Sequence, residues 1–161
     1  MTPGASATRP ADRLESGAIL FARLALAAGF LSAVADRFGV WGPPGGTNVA
    51  WGDFASFLQY TAKLNPFLPE TLIPLLGWAV TGAEIVAAVM LLAGIWVLRA
   101  AALAAVLLIG FSIGMTIGTG VKTALDASVP AAAAAAVLLA VRTRQIQESR
   151  SSGGTEVRTG V

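Results

Sequence analysis

Apolar residues in this chain run in blocks too long for the alternation of a half-buried strand or the narrow stripe of a soluble amphipathic helix. Between positions 72 and 98 the sole ionisable residue is Glu84, near the middle. A helix rises about 1.5 Å per residue and the hydrocarbon core of a bilayer is about 30 Å thick, so this block predicts a tilted transmembrane span. Similar blocks at 16–37 and 100–121, and a weaker one at 124–141, predict three more. The apolar stretch from 72 to 121 is too long for one crossing, so Arg99 is expected to mark a tight turn between the second and third spans. The predicted fold class is an all-α integral membrane protein, a bundle of four transmembrane helices.

The longest interruption, 38–71, has its own pattern. Trp41, Pro43, Pro44, Gly45, Gly46 and Asn48 read as turns, because proline fixes φ and glycine frees it. Phe54, Phe57, Leu58, Thr61 and Leu64 then recur at helical spacing, after Asp53 as an N-cap and before Asn65-Pro66 as a stop. This predicts a short amphipathic helix over 53–64. With Trp41, Trp51 and Tyr60 as interfacial aromatics, that helix is expected to lie at the membrane surface, in the long first outer loop.

The third span carries Gly110, Gly114 and Gly118 at every fourth position, which predicts a helix-packing face for the last span. Ser112, Thr116 and Thr119 are expected to donate to nearby backbone carbonyls. In the last span, Asp126 and Ser128 suit a helix start, and Pro130 is tolerated in a first turn. The polar segments 1–15 and 142–161 are expected to be disordered, leaving 16–141 as the membrane domain. The apolar block from 17 to about 40 lacks a clear cleavage pattern and reads as a retained span rather than a signal peptide.

Composition narrows the chemistry. The chain has 161 residues, 55% hydrophobic and 12% charged, and contains neither cysteine nor histidine, which removes thiol redox chemistry, Cys/His metal sites and histidine haem ligation. No metal site is expected. The net charge of +2 comes from arginines near the chain and span ends, a topological signal rather than a nucleic-acid one. With four spans, Arg9, Arg13, Arg99, Arg142, Arg144, Arg150 and Arg158 share one side, and Arg37, Lys63 and Lys122 the other. Both termini are therefore expected to be cytoplasmic, in a multi-pass protein of the cell (inner) membrane.

A charged side chain at mid-span costs roughly 2.5–3.5 kcal/mol on insertion scales, so Glu84 needs a partner. Arg23, inside the first span, is the expected one, forming an intramembrane polar site with Glu84. Snorkelling of Arg23 to the headgroups is the alternative. Asp36, Arg37, Lys122 and Asp126 are expected to gather as an outer polar cluster, for which simple interfacial anchoring is the plainer explanation.

The stretches ARLALAAGFLSAVADRFG at 22–39 and GWAVTGAEIVAAVMLLAGIWVLRAAAL at 77–103, with four spans and one long outer loop, resemble the DoxX family of small bacterial four-helix membrane proteins. Arg23, Glu84 and Arg99 match that family's charged positions, and Arg37 stands where a lysine is more usual. The resemblance implies an accessory or quinone-facing subunit of a membrane oxidoreductase complex, since the family takes its name from a subunit of a thiosulfate:quinone oxidoreductase. It implies a quinone as a non-covalent cofactor and a redox-enzyme subunit as a partner; beside these, the apolar spans make the lipid bilayer a partner, and a second copy of the chain is a further expected one. Two other readings stand beside it: a structural partner-binding protein, and a small solute transporter, against which the chain shows no inverted repeat of broken helices.

Overall fold

The computed structural model describes residues 10–156. Among them it contains helices α1 (Pro10–Arg37), α2 (Phe54–Leu64), α3 (Ile73–Ala93), α4 (Val97–Thr119), α5 (Val121–Asp126) and α6 (Val129–Glu156), with one 3₁₀ turn at Glu70–Leu72. Four segments are long and apolar enough to cross a membrane: Asp12–Arg37, Glu70–Ala93, Val97–Thr119 and Val129–Ser149. The all-α membrane bundle expected from the sequence is what the chain forms. Large apolar side chains such as Leu75, Val106 and Leu138 are about two-thirds exposed. Such surfaces suit a bilayer as solvent.

The bundle closes in the order α1, α3, α4, α6, with α6 returning to α1. Its core is built from small residues. Ala87, Ala88, Ala100, Ala101, Ala104 and Ala136 are fully buried, with Leu26, Phe30, Leu91 and Leu139 around them. Lipid tails are as apolar as leucine, so packing and close approach hold membrane helices together, and alanine allows that approach. The alanine run at 131–136 thus belongs to a packed face against α4.

Several boundaries differ from the sequence reading. The turn between α3 and α4 is Gly94-Ile95-Trp96, with Gly94 in the left-handed region at φ +71°, and Arg99 lies inside α4 with its guanidinium 5.5 Å from the Trp96 ring. The last span begins at Val129 rather than 124, because Ser128 turns the chain at φ +56° and a separate α5 precedes it. Asp126 is accordingly not a cap of α6 and pairs with Lys122 one turn earlier. Helix also extends where disorder was expected, through 10–15 and 142–156. Ion pairs lie along these extensions: Arg142 of α6 binds Glu15 of α1 at 2.7 Å, and Arg144 binds Glu148 one turn on at 2.8 Å. The remainder of both predicted disordered segments, 1–9 and 157–161, lies outside the described residues.

The amphipathic helix is present as predicted. Asp53 caps it by accepting the Ser56 N–H at 2.7 Å, Asn65 ends it, and Phe57, Thr61 and Leu64 form its buried face. Its seat is made by glycines. A Cβ on Gly77 of α3 would lie 3.5 Å from the Phe57 ring, and one on Gly118 of α4 would lie 2.8 Å from the Leu64 Cα. Gly114 touches the Leu64 side chain in the same way, whereas Gly110 faces open space. Two glycines of the α4 stripe, Gly114 and Gly118, therefore pack against α2 rather than against the last span as the sequence suggested, and Gly110 packs against neither.

Candidate functional site beneath the interfacial helix

Side-chain direction decides how the charges pair. Cα–Cβ bonds tilt toward the N-terminus of a helix, and α1 and α3 run antiparallel. Arg37, the last residue of α1, thus reaches down into the bundle, while Glu84 reaches up from mid-α3. They meet as a two-pronged ion pair: Arg37 Nη2 donates to Glu84 Oε1 at 2.9 Å, and Nη1 donates to Glu84 Oε2. Arg37 Nη1 also donates to Thr81 Oγ1 at 2.7 Å, and that hydroxyl donates in turn to the Gly77 carbonyl at 2.8 Å. Both charged residues are almost completely buried, at 2% and 1% exposure.

Aromatic rings complete the enclosure. The guanidinium carbon of Arg37 lies 3.9 Å from the centroid of Phe57 and 5.3 Å from that of Trp51. A desolvated cation over an aromatic face gains about 2 kcal/mol or more, so α2 and the loop help to hold the charge. The loop is fastened by the neighbouring residue, since buried Asp36 accepts the Ala50 and Trp51 backbone N–H groups at 3.3 and 2.7 Å. Trp51 then packs edge-on against Phe57 at 5.2 Å and near Tyr60 at 6.0 Å.

The expected Arg23–Glu84 pair does not form. The stem of Arg23 tilts toward the terminus-bearing side of the bundle, carrying its guanidinium away from Glu84 to the end of α3. There Nε donates to the Leu91 carbonyl at 2.9 Å and Nη2 to the Leu92 carbonyl at 3.4 Å. These are last-turn carbonyls, which a helix leaves without an intrahelical donor. Gly94 makes room, since a Cβ there would sit 3.2 Å from the Arg23 Cζ. The outer cluster also separates. Arg37 belongs to the Glu84 pair and Asp36 to the loop, whereas Lys122 and Asp126 form an exposed pair within α5.

Beneath α2 lies a cavity of about 990 Å³, lined by all four spans and by α2. Arg37, Trp51, Tyr60, Thr61, Asn65 and Glu84 supply its polar wall, and the rest is apolar. Arg37 Nε is the one buried side-chain nitrogen or oxygen among the described residues without a hydrogen-bond partner. Trp41 lies outside this cavity and borders a smaller cleft of about 360 Å³ with Asp36 and Asn48, while its indole N–H donates to the Ser32 carbonyl at 3.1 Å. No group of acidic residues among those described is arranged to hold a metal ion.

The sequence profile of the family described as "Methylamine utilisation protein MauE" matches residues 15–128, most of the chain. The protein belongs to the MauE family. The match spans α1 to α5 and so includes Arg37, Glu84, the loop and α2, while α6 lies beyond it. MauE proteins share with the DoxX proteins a small size and several membrane spans. No curated protein and no solved structure shows significant similarity to the chain.

Of the residues singled out in the sequence, the site brings Glu84, Arg37, Trp51 and Tyr60 together. It adds Phe57 and Thr81, which sequence reasoning missed as functional positions. The available signal was spacing: Thr81 lies one turn before Glu84 on α3, and Phe57 lies on the apolar face of α2.

Proposed function

We propose that this MauE-family protein is a membrane-embedded accessory subunit of a redox system, and that the cavity beneath α2 receives a quinone headgroup beside Arg37. The observation that carries the reading is a buried guanidinium with one N–H lacking an acceptor, in the polar wall of a large apolar cavity. Buried donors are nearly always satisfied, so an unpaired one leaves a place for an acceptor such as a ligand oxygen. A planar ring with carbonyl oxygens fits this donor set. Arg37 Nε–H and the Tyr60 hydroxyl would hold the carbonyls, and Trp51 and Phe57 would bound the ring. A bound quinone supplies two-electron, two-proton redox chemistry; the chain's own residues bind the head, orient it and exclude water.

Support also comes from the family's description as methylamine utilisation proteins and from the resemblance of 22–39 and 77–103 to DoxX proteins. The pair with Glu84 holds the Arg37 guanidinium in place without using the remaining N–H. A purely partner-binding role loses its main feature, because α2 of the same chain occupies Gly114 and Gly118. In this reading both termini face the cytoplasm, on the arginine-rich side. Asn48→Cys would then be labelled from outside the cell and Ser149→Cys from inside.

The test is the quinone content of protein purified in mild detergent. The expected result is recovery of quinone with the wild type and its loss in Arg37→Lys, which keeps the charge but lacks the Nε–H, with an unchanged gel-filtration profile. Quinone-free wild type, or equal occupancy in the variant, would sink the reading.

A further inference from the structure

The cavity is longer than a ring needs, and its chemistry changes along its length. On α1 its wall runs from Arg37 down to Phe21, sixteen residues, or about 24 Å of helix. The polar wall is confined to the loop end, where Arg37, Glu84, Trp51 and Tyr60 lie. Below them the lining is Ala25, Leu26 and Phe30 on α1, and Val106, Leu107 and Gly110 on α4. Not one of these offers a side-chain hydrogen bond. On α4 the buried residues end at Ala105 and the cavity wall starts at Val106, with Leu107 and Leu108 bordering both core and cavity.

The trough is open to the side. Phe21 and Val106, both in its wall, are 74% and 68% exposed, on the surface that faces lipid. Helices α1 and α6 are joined near the termini by the Glu15–Arg142 pair, whereas toward the loop end Ala33 of α1 and Val129 of α6 both border the cavity. Above, α2 rests on α3 and α4. The exposed ends of the trough wall, Phe21 on α1 and Val106 on α4, thus lie below α2.

We infer that the ligand carries a long hydrocarbon tail, that this tail lies in the trough between α1 and α4, and that it comes in sideways from the membrane with its head toward the loop. The inference rests on the quinone reading for its head and adds the tail, its location and its route. Gly110 lines the trough, and a Cβ there meets no atom within 4 Å, so a larger side chain enters that space without displacing a neighbour.

Two photoreactive quinones test this in the detergent-solubilised full-length protein, with labelled residues mapped by mass spectrometry. One is a tailless ring analogue with the reactive group on the ring; the other has a long isoprenoid tail with the group at its far end. The ring probe should label around Trp51 and Tyr60, and the tail probe around Phe21, Ala25 and Val106. Gly110→Leu should remove most of the tail-end labelling while ring-probe labelling is retained, and Ala25→Leu serves as a second block on the facing helix. Ring labelling at Trp51 and Tyr60 with tail labelling on the outer loop, or tail labelling undiminished by both variants, would overturn the trough while leaving the head site standing. Absence of ring labelling would overturn the quinone reading and this inference with it.

Discussion

Arg37 and Glu84 are joined by two hydrogen bonds in a setting that excludes water, one from the end of α1 and the other from the middle of α3. Desolvation offsets much of what such a pair gains, so its value lies less in net stability than in fixing two helices and a cation at one depth. Removing one partner leaves the other buried and unpaired. Glu84→Leu alone and Arg37→Met alone should each lower stability by about 3–5 kcal/mol, while the double variant should recover most of the loss. Thermal unfolding of the four proteins in the same detergent measures this, and a double variant as weak as the sum of the singles would contradict it.

Arg23 should act independently of that pair, since it shares no partner with it. Arg23→Leu leaves the Leu91 and Leu92 carbonyls without their side-chain donor, at a cost of about 1–3 kcal/mol. Combined with Glu84→Gln, the two losses should add to within about 0.5 kcal/mol. A larger coupling in the double-mutant cycle would mean that Arg23 reaches Glu84 after all.

The seat of α2 should be sensitive at Gly118 and insensitive at Gly110. Gly118→Leu drives a side chain into the Lys63 and Leu64 backbone, an overpacking cost of about 1–3 kcal/mol that is relieved if α2 lifts. Tryptic cleavage after exposed Lys63 should accelerate in Gly118→Leu and stay at the wild-type rate in Gly110→Leu. Equal rates in both variants would show that the glycines do not hold the helix.

Asp53 gives the loop a pH dependence. Its carboxylate accepts the Ser56 backbone N–H, which holds its pKa below the usual aspartate value. The cap therefore contributes in full above that usual value and is lost as pH falls through the lowered folded-state value. Cleavage after Lys63 by an acid-stable protease of matching specificity should rise in that acidic window. Asp53→Asn, which keeps an acceptor and cannot titrate, should flatten the profile.

Much of this architecture was legible in the residues. Runs longer than a bilayer core foretold the spans, and Asp53, the Phe57–Thr61–Leu64 face and Asn65 foretold α2, because each of these signals is local to its own helix. That Glu84 needed a cation followed from its depth alone. Which cation it took did not, because counting residues gives Cα depth and not the direction of a long side chain. By that count Arg23 and Arg37 lie equally far from Glu84 in depth, and because both arginines lean toward the start of α1, Arg23 reaches the end of α3 and Arg37 reaches Glu84.

The glycine stripe shows the same division. Spacing put Gly110, Gly114 and Gly118 on one face, but the neighbour across that face depends on how the helices are arranged around the bundle. By itself the sequence determined a four-span membrane protein with a capped interfacial helix and one buried acid in need of a partner, because hydropathy, caps and depth are properties of single segments. Only the tertiary structure decided that Arg37 is that partner, that α2 sits on glycines of two spans, and that a side-opening cavity lies beneath it, because each of these requires knowing which helices are neighbours and which way their side chains lean.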